Sequence, residues 1–408
     1  MKAIQFTLSL PRYGITKALG KVWPGAYTSS LSLLRLVDIP EPDLPGEEWV
    51  KVRTAYAGIC GTDLSTIRLH ESPMLSVYTS FPFVLGHENT GRVHQAGSQS
   101  GFNEGERVVV DPLLPCCVRG MDPPCPRCQA LEASTCDSFT LGALEPGLQM
   151  GGCASTGGSW SEHFLAHRSQ VFRLPDSVPD NAAVLIDAFA CSLRAVARSL
   201  PRDGDTVLIV GAGVMGLTTL AALRSLGSTA RLLVLARHAF QAEMARSYGA
   251  DEAVLATGRE GYARQLADLL GGRLARPVLG DPVMLGGGAD LVFDCVGNRG
   301  SMQDALRFTR SGGRIVLVGT ASRLDGLDWT PVWLRELTVA GSVFSGYVTW
   351  EGQPVRAYQL AIDLAGEGKA DLAPLLTHAF PLEQWRSAIR IATSKSSHRL
   401  IKAAFVFA

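Results

Sequence analysis

Residues 206–216 read Thr-Val-Leu-Ile-Val-Gly-Ala-Gly-Val-Met-Gly. An apolar run of strand length leads into a Gly-x-Gly-x-x-Gly pattern, and an apolar helical stretch follows as far as Leu226. In this context the first glycine permits a tight turn, the second lets a pyrophosphate approach the backbone, and the third lets helix and strand pack closely. The stretch therefore predicts a dinucleotide-binding βα unit. Its candidate cofactor-binding residues are Gly211, Gly213, Val214, Met215 and Gly216.

Further apolar strands alternate with helical stretches on the carboxyl side of this unit. They are predicted at Leu232–Leu235, Asp290–Asp294 and Arg314–Gly319. Repetition of βαβ units predicts a parallel, doubly wound sheet of the Rossmann type. Gly319 ends one of these strands and is a further candidate contact of the cofactor. The glycine- and proline-rich segment 271–288 is interpreted as a loop insertion in this half.

The end of the second strand bears on which nicotinamide cofactor is used. An acidic residue there would bind the ribose 2′-hydroxyl of NAD, but the chain reads Ala236-Arg237. No carboxylate would repel a phosphate, and the Arg237 guanidinium could pair with one. This favours NADP over NAD, the alternative being that Arg237 simply faces solvent.

The remainder of the chain has a different pattern. Short β-branched runs such as Glu48–Arg53 and Gly105–Val110, separated by turn residues, predict a mostly antiparallel β domain. The last 65 or so residues are expected to fold back onto it. The predicted class is thus α/β with two domains, residues 1–178 together with 343–408, and residues 179–342.

The composition of the chain argues against several classes of function. The 408 residues include 38 basic and 38 acidic side chains, so no net charge favours binding to nucleic acid or to a membrane surface. Neither a signal peptide nor an apolar stretch of membrane-spanning length is recognised, which indicates a cytoplasmic protein. Nine cysteines in such a protein indicate thiols and metal ligands rather than disulfides.

Three residues ahead of the glycine pattern are candidate ligands of a catalytic metal. They are Cys60, His87 and Asp187. A thiolate, an imidazole and a carboxylate hold zinc while leaving one tetrahedral position open for a substrate oxygen. Zinc together with a nicotinamide indicates oxidation of an alcohol or reduction of the matching carbonyl.

The motifs resemble those of the zinc-dependent medium-chain alcohol dehydrogenase family. The matching stretches are Gly58-Ile-Cys-Gly-Thr-Asp63, Gly86-His-Glu-Asn-Thr-Gly91, Gly105-Glu-Arg-Val-Val109 and the glycine pattern, in the same order. The resemblance implies a GroES-like catalytic domain, completed by the C-terminal segment, with a Rossmann domain inserted.

The resemblance also implies roles for individual residues. Cys60 and His87 match zinc ligands, and Asp187 occupies the third ligand position, although it could instead cap a helix. Glu88 is expected to alternate between direct and indirect contact with the metal. Asp63 would orient His87. Thr62 would accept the substrate's hydroxyl proton. Ser65 stands where many relatives have a histidine that completes the relay, so Ser65, the ribose or water would complete it here.

A cysteine-rich segment is predicted to hold a second, structural zinc. Cys125, Cys128 and Cys136 reproduce three of the four ligands of the structural zinc lobe in many relatives. The first ligand position is Asp122 here, so Cys116 or Cys117 would complete the set. A four-thiolate site can hold together a lobe that has little core of its own.

These features favour a zinc-dependent alcohol or polyol dehydrogenase acting on a small alcohol or carbonyl substrate. We expect zinc and NADP or NAD as cofactors and a homo-oligomer as the assembly. Two alternatives are a zinc-free quinone or enoyl reductase and a non-catalytic dinucleotide-binding protein of the same fold. The three ligand candidates disfavour the first, and Thr62 beside them disfavours the second.

Overall fold

The computed structural model describes residues 1–407, except for the side chains of Arg259, Lys395 and Ser396. The strands, in chain order, are β1 (Lys2–Phe6), β2 (Leu34–Asp38), β3 (Trp49–Ile59), β4 (Phe83–Val84), β5 (Asn89–Ala96), β6 (Arg107–Val110), β7 (His163–His167), β8 (Val171–Arg173), β9 (Thr206–Val210), β10 (Arg231–Ala236), β11 (Glu252–Leu255), β12 (Arg273–Ala275), β13 (Val283–Leu285), β14 (Ala289–Asp294), β15 (Thr309–Leu317), β16 (Thr338–Gly341), β17 (Tyr347–Trp350), β18 (Gln353–Arg356), β19 (Leu376–Pro381) and β20 (Lys402–Val406).

The α-helices follow the same numbering scheme. They are α1 (Leu10–Gly20), α2 (Gly61–Ile67), α3 (Pro126–Gln129), α4 (Asp180–Ala183), α5 (Ile186–Ala197), α6 (Val214–Ser225), α7 (Ala239–Ser247), α8 (Arg259–Leu269), α9 (Arg299–Phe308), α10 (Thr330–Leu334), α11 (Ala357–Gly366), α12 (Trp385–Thr393) and α13 (Lys395–His398). Among residues 1–407, none of these helices is long and apolar enough to cross a membrane.

The chain divides into two compact units. One unit comprises Met1–Asp187 together with Phe344–Ala408, and the other comprises Ala188–Val343. The first unit is therefore built from two separate segments of the chain.

The second unit contains a six-stranded sheet in which all strands are parallel. Its strand order is β11-β10-β9-β14-β15-β16, the arrangement of two mononucleotide-binding halves that meet between β9 and β14. The apolar run of β9 is buried at the centre of this sheet, as expected for a strand covered on both faces. The prediction of a parallel, doubly wound sheet is confirmed.

A close contact explains why Gly216 must be a glycine. A Cβ atom at this position would lie 1.8 Å from the carbonyl oxygen of Gly211. Helix α6 therefore packs directly on the turn that follows β9, and its residues 216–223 are all buried. Any larger residue at 216 would push the helix away from the turn.

The segment 271–288 differs from its interpretation as a loop insertion. Strands β12 and β13 pair antiparallel there, with Leu274 opposite Met284. Met284 is buried in the core of the second unit, which anchors this hairpin. The many glycines and prolines of this segment are typical of a loop. They made its two strands hard to recognise, because each strand has only three residues.

The first unit is mostly antiparallel β structure. Its largest sheet has the order β19-β20-β3-β5-β6-β8, and β7 also pairs with β3. A smaller sheet has the order β2-β1-β4, and β17 and β18 form a hairpin. Strand β20 from the C-terminal segment pairs antiparallel with the end of β3, with Ala403 opposite Ile59. This pairing brings the C-terminal strand beside the segment that carries Cys60.

Candidate active site

The structure brings Cys60, His87 and Glu88 together. Cys60 follows β3, whereas His87 and Glu88 immediately precede β5. Because β3 and β5 pair antiparallel, the end of one strand lies beside the start of the other, with Ala57 opposite Asn89. One ligand atom of each of the three side chains lies within 4.8 Å of the others. A thiolate, an imidazole and a carboxylate at this spacing form a donor set suited to zinc.

Asp63 makes two contacts that fix this cluster. Its Oδ2 accepts a hydrogen bond of 2.8 Å from the backbone N–H of Cys60 at the start of α2. Its Oδ1 lies 3.4 Å from Nδ1 of His87. A carboxylate at one ring nitrogen favours presentation of the other nitrogen to a metal.

Buried charge also surrounds the His87 ring. Burial lowers the pKa of His87, but the nearby Asp63 and Cys60 outweigh burial and raise that pKa well above its usual value. The Asp63 carboxylate and the Cys60 sulfur therefore stabilise positive charge at the centre of the cluster. A divalent cation would benefit from the same surroundings.

Glu88 forms a buried ion pair that the sequence did not predict. Its carboxylate contacts the ammonium group of Lys402 on β20, and both side chains are almost fully buried. Burial alone lowers the pKa of Lys402, but Glu88 together with Cys60 and Asp63 outweighs burial and raises that pKa. A lysine in the otherwise apolar stretch Lys402–Val406 was a usable signal, because a buried lysine requires a partner.

Gly58 leaves the space that Glu88 occupies. A Cβ atom on Gly58 would lie 2.1 Å from Oε2 of Glu88. Any side chain at position 58 would therefore displace the carboxylate from the cluster. The indole N–H of Trp160 also donates to the carbonyl oxygen of Gly58 at 3.0 Å, which holds this part of β3 in place.

Asp187 does not join the Cys60–His87–Glu88 group. It is the second residue of α5, which begins at Ile186, so the interpretation of Asp187 as a helix cap is wrong. Its Oδ1 accepts a hydrogen bond of 3.4 Å from the hydroxyl of Tyr358. Burial raises the pKa of Asp187 to about 7, an effect that His87 opposes and Glu88 reinforces. Asp187 is thus a buried carboxylate close enough to interact electrostatically with both His87 and Glu88.

Thr62 and Ser65 lie one helical turn apart on α2. The hydroxyl oxygen of Thr62 is buried and has no hydrogen-bond partner among the described residues. A buried hydroxyl without a partner is costly in free energy, and such groups often await a ligand. Ser65 is half-buried three residues later, on the same side of the helix.

Four cysteines form a second cluster in the first unit. Ligand atoms of Cys116, Cys125, Cys128 and Cys136 all lie within 4.8 Å of one another. The Sγ atom of Cys136 lies 3.5 Å from that of Cys116 and 3.7 Å from that of Cys125. Cys117 points elsewhere and lies exposed, 3.4 Å from the hydroxyl of Ser169. Of the two cysteines that the sequence left open, the structure brings Cys116 into the group.

Backbone amides stabilise negative charge on these sulfurs. The N–H of Cys125 donates to Sγ of Cys116, and the N–H of Ser138 donates to Sγ of Cys136. Burial raises the pKa of Cys136 to about 11. At Cys125 burial acts in the same direction, but backbone hydrogen bonds outweigh it and lower the pKa to about 6. A divalent cation would supply the charge that four adjacent thiolates need.

The candidate dinucleotide site lies at the carboxyl end of β9. Helix α6 begins after Gly213 without a side-chain cap and without an acidic residue in its first turn, so its first N–H groups can bind an anion. Val214 and Met215 are the first residues of this helix. Gly319 packs against the backbone of Gly297, where a Cβ atom would lie 2.5 Å from the amide nitrogen.

Arg237 follows β10 directly and is exposed. No described carboxylate lies within ion-pair distance of its guanidinium. The neighbouring His238 is the N-cap residue of α7, and its ring stacks on Phe240 at a centroid distance of 5.7 Å. The guanidinium is therefore available to an anionic ligand.

Two family models match this chain. The alcohol dehydrogenase GroES-like domain matches residues 46–176, and the zinc-binding dehydrogenase family matches residues 214–359. The chain belongs to the zinc-dependent medium-chain alcohol dehydrogenase family. It is an oxidoreductase that uses zinc and a nicotinamide cofactor.

Individual relatives agree with this assignment. The chain is 27% identical to L-idonate 5-dehydrogenase of Vitis vinifera over 358 residues, covering 87% of each protein. It is 29% identical to sorbitol dehydrogenase of Homo sapiens over 353 residues, covering 86% of this chain and 87% of that protein. A zinc-binding dehydrogenase of Sinorhizobium meliloti 1021, solved bound to NADP, superposes with a TM-score of 0.69 at 26% identity, covering 92% of this chain and 95% of that one.

Proposed function

We propose that this protein is an NADP-preferring dehydrogenase of polyols or related small hydroxy compounds, with its reaction centre at Cys60, His87 and Glu88. The observation that carries the proposal is the convergence of these three donor atoms within 4.8 Å in the same unit as the unpartnered hydroxyl of Thr62. The donor set fits zinc, and the hydroxyl fits a contact with the substrate.

Cys60 and His87 would hold the zinc ion together with a carboxylate. Glu88 supplies that carboxylate in the described geometry, while Lys402 neutralises its charge. Asp187 is a second buried carboxylate, and we propose that it also contacts the metal. Zinc retention can be compared between Glu88→Gln and Asp187→Asn to show which carboxylate is the direct ligand. The substitution that removes a direct ligand should release more zinc.

The two cofactors supply Lewis-acid polarisation of a substrate oxygen and acceptance of a hydride by the nicotinamide. The protein's own groups position the substrate and carry its proton. Thr62 accepts the hydroxyl proton at Oγ1 and releases its own proton, which Ser65 or water passes outward. Asp63 keeps His87 oriented throughout, since its carboxylate contacts the His87 ring and accepts a hydrogen bond from the backbone N–H of Cys60.

Thr62→Val should lower kcat by about 10²–10⁴-fold, the usual contribution of a positioned proton acceptor. Valine keeps the shape of threonine but removes the hydroxyl. NADP binding should be unchanged, as measured by protein fluorescence titration. Thr62→Ser is the matched control and should retain most of the activity. A Thr62→Val enzyme with unchanged kcat would exclude this role.

The names of two relatives, which specify sorbitol and L-idonate, support a proposal for the substrate class. We propose that a polyol or a sugar-derived hydroxy acid is the substrate here. A screen of secondary alcohols, polyols and sugar acids with NADP and NAD tests this directly. Oxidation of simple alcohols alone, with no polyol or sugar acid turned over, would rule out the class.

NADP preference depends on Arg237 and on the absence of an acid at Ala236. A guanidinium can bind the 2′-phosphate through charge-assisted hydrogen bonds that contribute about 1.5–3 kcal/mol. Arg237→Ala should therefore weaken NADP binding about ten- to a hundredfold and leave NAD binding nearly unchanged. Ala236→Asp combined with Arg237→Ala should shift the preference to NAD. A higher kcat/KM for NAD than for NADP in the unmodified enzyme would contradict the proposal.

We further propose a cytoplasmic homo-oligomer that binds neither nucleic acid nor membranes. A cluster of four thiols is typical of a reducing compartment. Leu10, Val22 and Trp23 are exposed apolar residues in the segment between β1 and β2, and such residues are typical of subunit contacts. Sedimentation velocity measures the assembly, and a monomer across the accessible concentration range would exclude it.

A further inference from the structure

Glu41, His94 and His163 form a third group of ligand-type side chains, separate from both clusters described above. One ligand atom of each lies within 4.8 Å of the others. The rings of His94 and His163 have centroids 4.5 Å apart, and Nδ1 of His163 lies 3.6 Å from Oε1 of Glu41. Two ligands of one tetrahedral zinc ion are separated by about 3.4 Å, so this spacing suits a shared metal.

His163 is the strongest indication of a ligand. The residue is only 8% exposed, yet neither of its ring nitrogens has a hydrogen-bond partner among the described residues. Burial lowers the pKa of His163, and the opposing effect of Glu41 is smaller. Burial thus favours the neutral ring, which is the form of an imidazole that binds a metal.

An irregularity in strand β5 directs the side chain of His94 towards Glu41 and His163. Strand β3 lies between β5 and β7, so His94 and His163 approach each other from opposite sides of it. Val93 and Gln95 of β5 pair with the consecutive residues Val52 and Lys51 of β3, which leaves His94 as the extra residue of a β-bulge. Bulges of this kind redirect a side chain.

The backbone of Glu41 is restricted by its neighbours in the chain. Glu41 lies between Pro40 and Pro42, which reduce the backbone entropy lost when the carboxylate binds a metal ion. Its Oε2 also lies 3.5 Å from Nζ of Lys51, whose side chain is 8% exposed. The Lys51 ammonium competes with a cation for this carboxylate and should weaken binding.

We propose that Glu41, His94 and His163 bind an exchangeable divalent transition-metal ion, such as Zn²⁺ or Ni²⁺, at a site distinct from the catalytic and cysteine clusters. Imidazole and carboxylate ligands suit these ions. The bound ion would connect the segment after β2 to strands β5 and β7. Lys51 keeps the affinity below that of the four-thiolate cluster.

The test is a calorimetric titration with Ni²⁺ of the tag-free protein, after dialysis has removed exchangeable zinc and left the tightly bound zinc of the other two clusters in place. We expect one additional ion per subunit and a higher melting temperature in its presence, since ligands that bind the native state stabilise it. His94→Gln and Glu41→Gln, both at exposed positions, should each weaken Ni²⁺ binding at least about tenfold, because even residues that only orient a ligand contribute about 10–100-fold. Lys51→Met should strengthen it.

His378→Gln is the matched control, because His378 is a histidine outside the cluster. It should leave Ni²⁺ affinity unchanged. Two results would overturn the proposal: the absence of an additional ion in the unmodified protein, or an unchanged affinity in His94→Gln. The catalytic cluster is intact in all of these variants, so retained turnover separates this site from the proposed reaction centre.

Discussion

Cys60→Ser and His87→Ala should each lower kcat/KM by at least about 10³-fold, since polarisation of a substrate oxygen by a metal contributes several kcal/mol and each 1.36 kcal/mol is a tenfold change in rate. Serine is a much weaker zinc ligand than the Cys60 thiolate. Alanine at 87 also leaves the carboxylate of Asp63 buried without its ring partner. Steady-state kinetics with zinc analysis of the same samples measures both effects.

NADP binding should survive both substitutions, because the glycine-rich turn lies in the second unit. Cys117→Ser is the control for loss of a thiol, since Cys117 is exposed and belongs to neither cluster. It should keep full activity. Turnover at the unmodified rate by a zinc-free Cys60→Ser protein would exclude Cys60 as a ligand of a required metal.

Cys128→Ala should destabilise the protein by removing one thiolate from the cysteine cluster. Residues that only hydrogen-bond to a metal ligand contribute roughly 10–100-fold to metal affinity. Loss of a direct ligand is expected to weaken metal binding by at least this factor. That corresponds to about 1.4–2.8 kcal/mol. At about 2–4 °C per kcal/mol for a unit of this size, the melting temperature should fall by about 3–11 °C. Differential scanning calorimetry measures the change.

Cys117→Ala serves as the matched control for this effect as well, because Cys117 neighbours Cys116 in sequence but points to Ser169. It should change neither zinc content nor melting temperature. Cys128→Ala should contain one tightly bound zinc ion fewer per subunit than the unmodified protein. Equal zinc contents and equal melting temperatures would show that the thiols hold no metal.

The sequence predicted features that are encoded locally. Strand β9, the glycine turn and helix α6 are contiguous, so one window of sequence contains the whole dinucleotide unit. Cys60 and His87 each sit in a short motif with a characteristic order of residues. A local sequence pattern thus identifies the cofactor-binding turn and the metal ligands, and the fold brings Cys60 and His87 together.

Contacts that depend on pairing between distant strands were not predictable in the same way. The Glu88–Lys402 ion pair requires β20 to lie beside β3, and the sequence does not specify that register. The cluster at His163 likewise depends on a one-residue bulge in β5. The choice of Cys116 over Cys117 required the direction of each side chain, which adjacent residues in a sequence cannot reveal.

Zinc content and polyol-dependent reduction of NADP, measured on the same preparation during chelation and zinc replacement, show whether catalysis requires the metal at Cys60 and His87. Turnover should fall as zinc is removed and return when zinc is restored. Cys60→Ser should show no recovery on restoration, although its cysteine cluster is intact. Undiminished turnover by the zinc-free protein would show that the reaction needs no zinc.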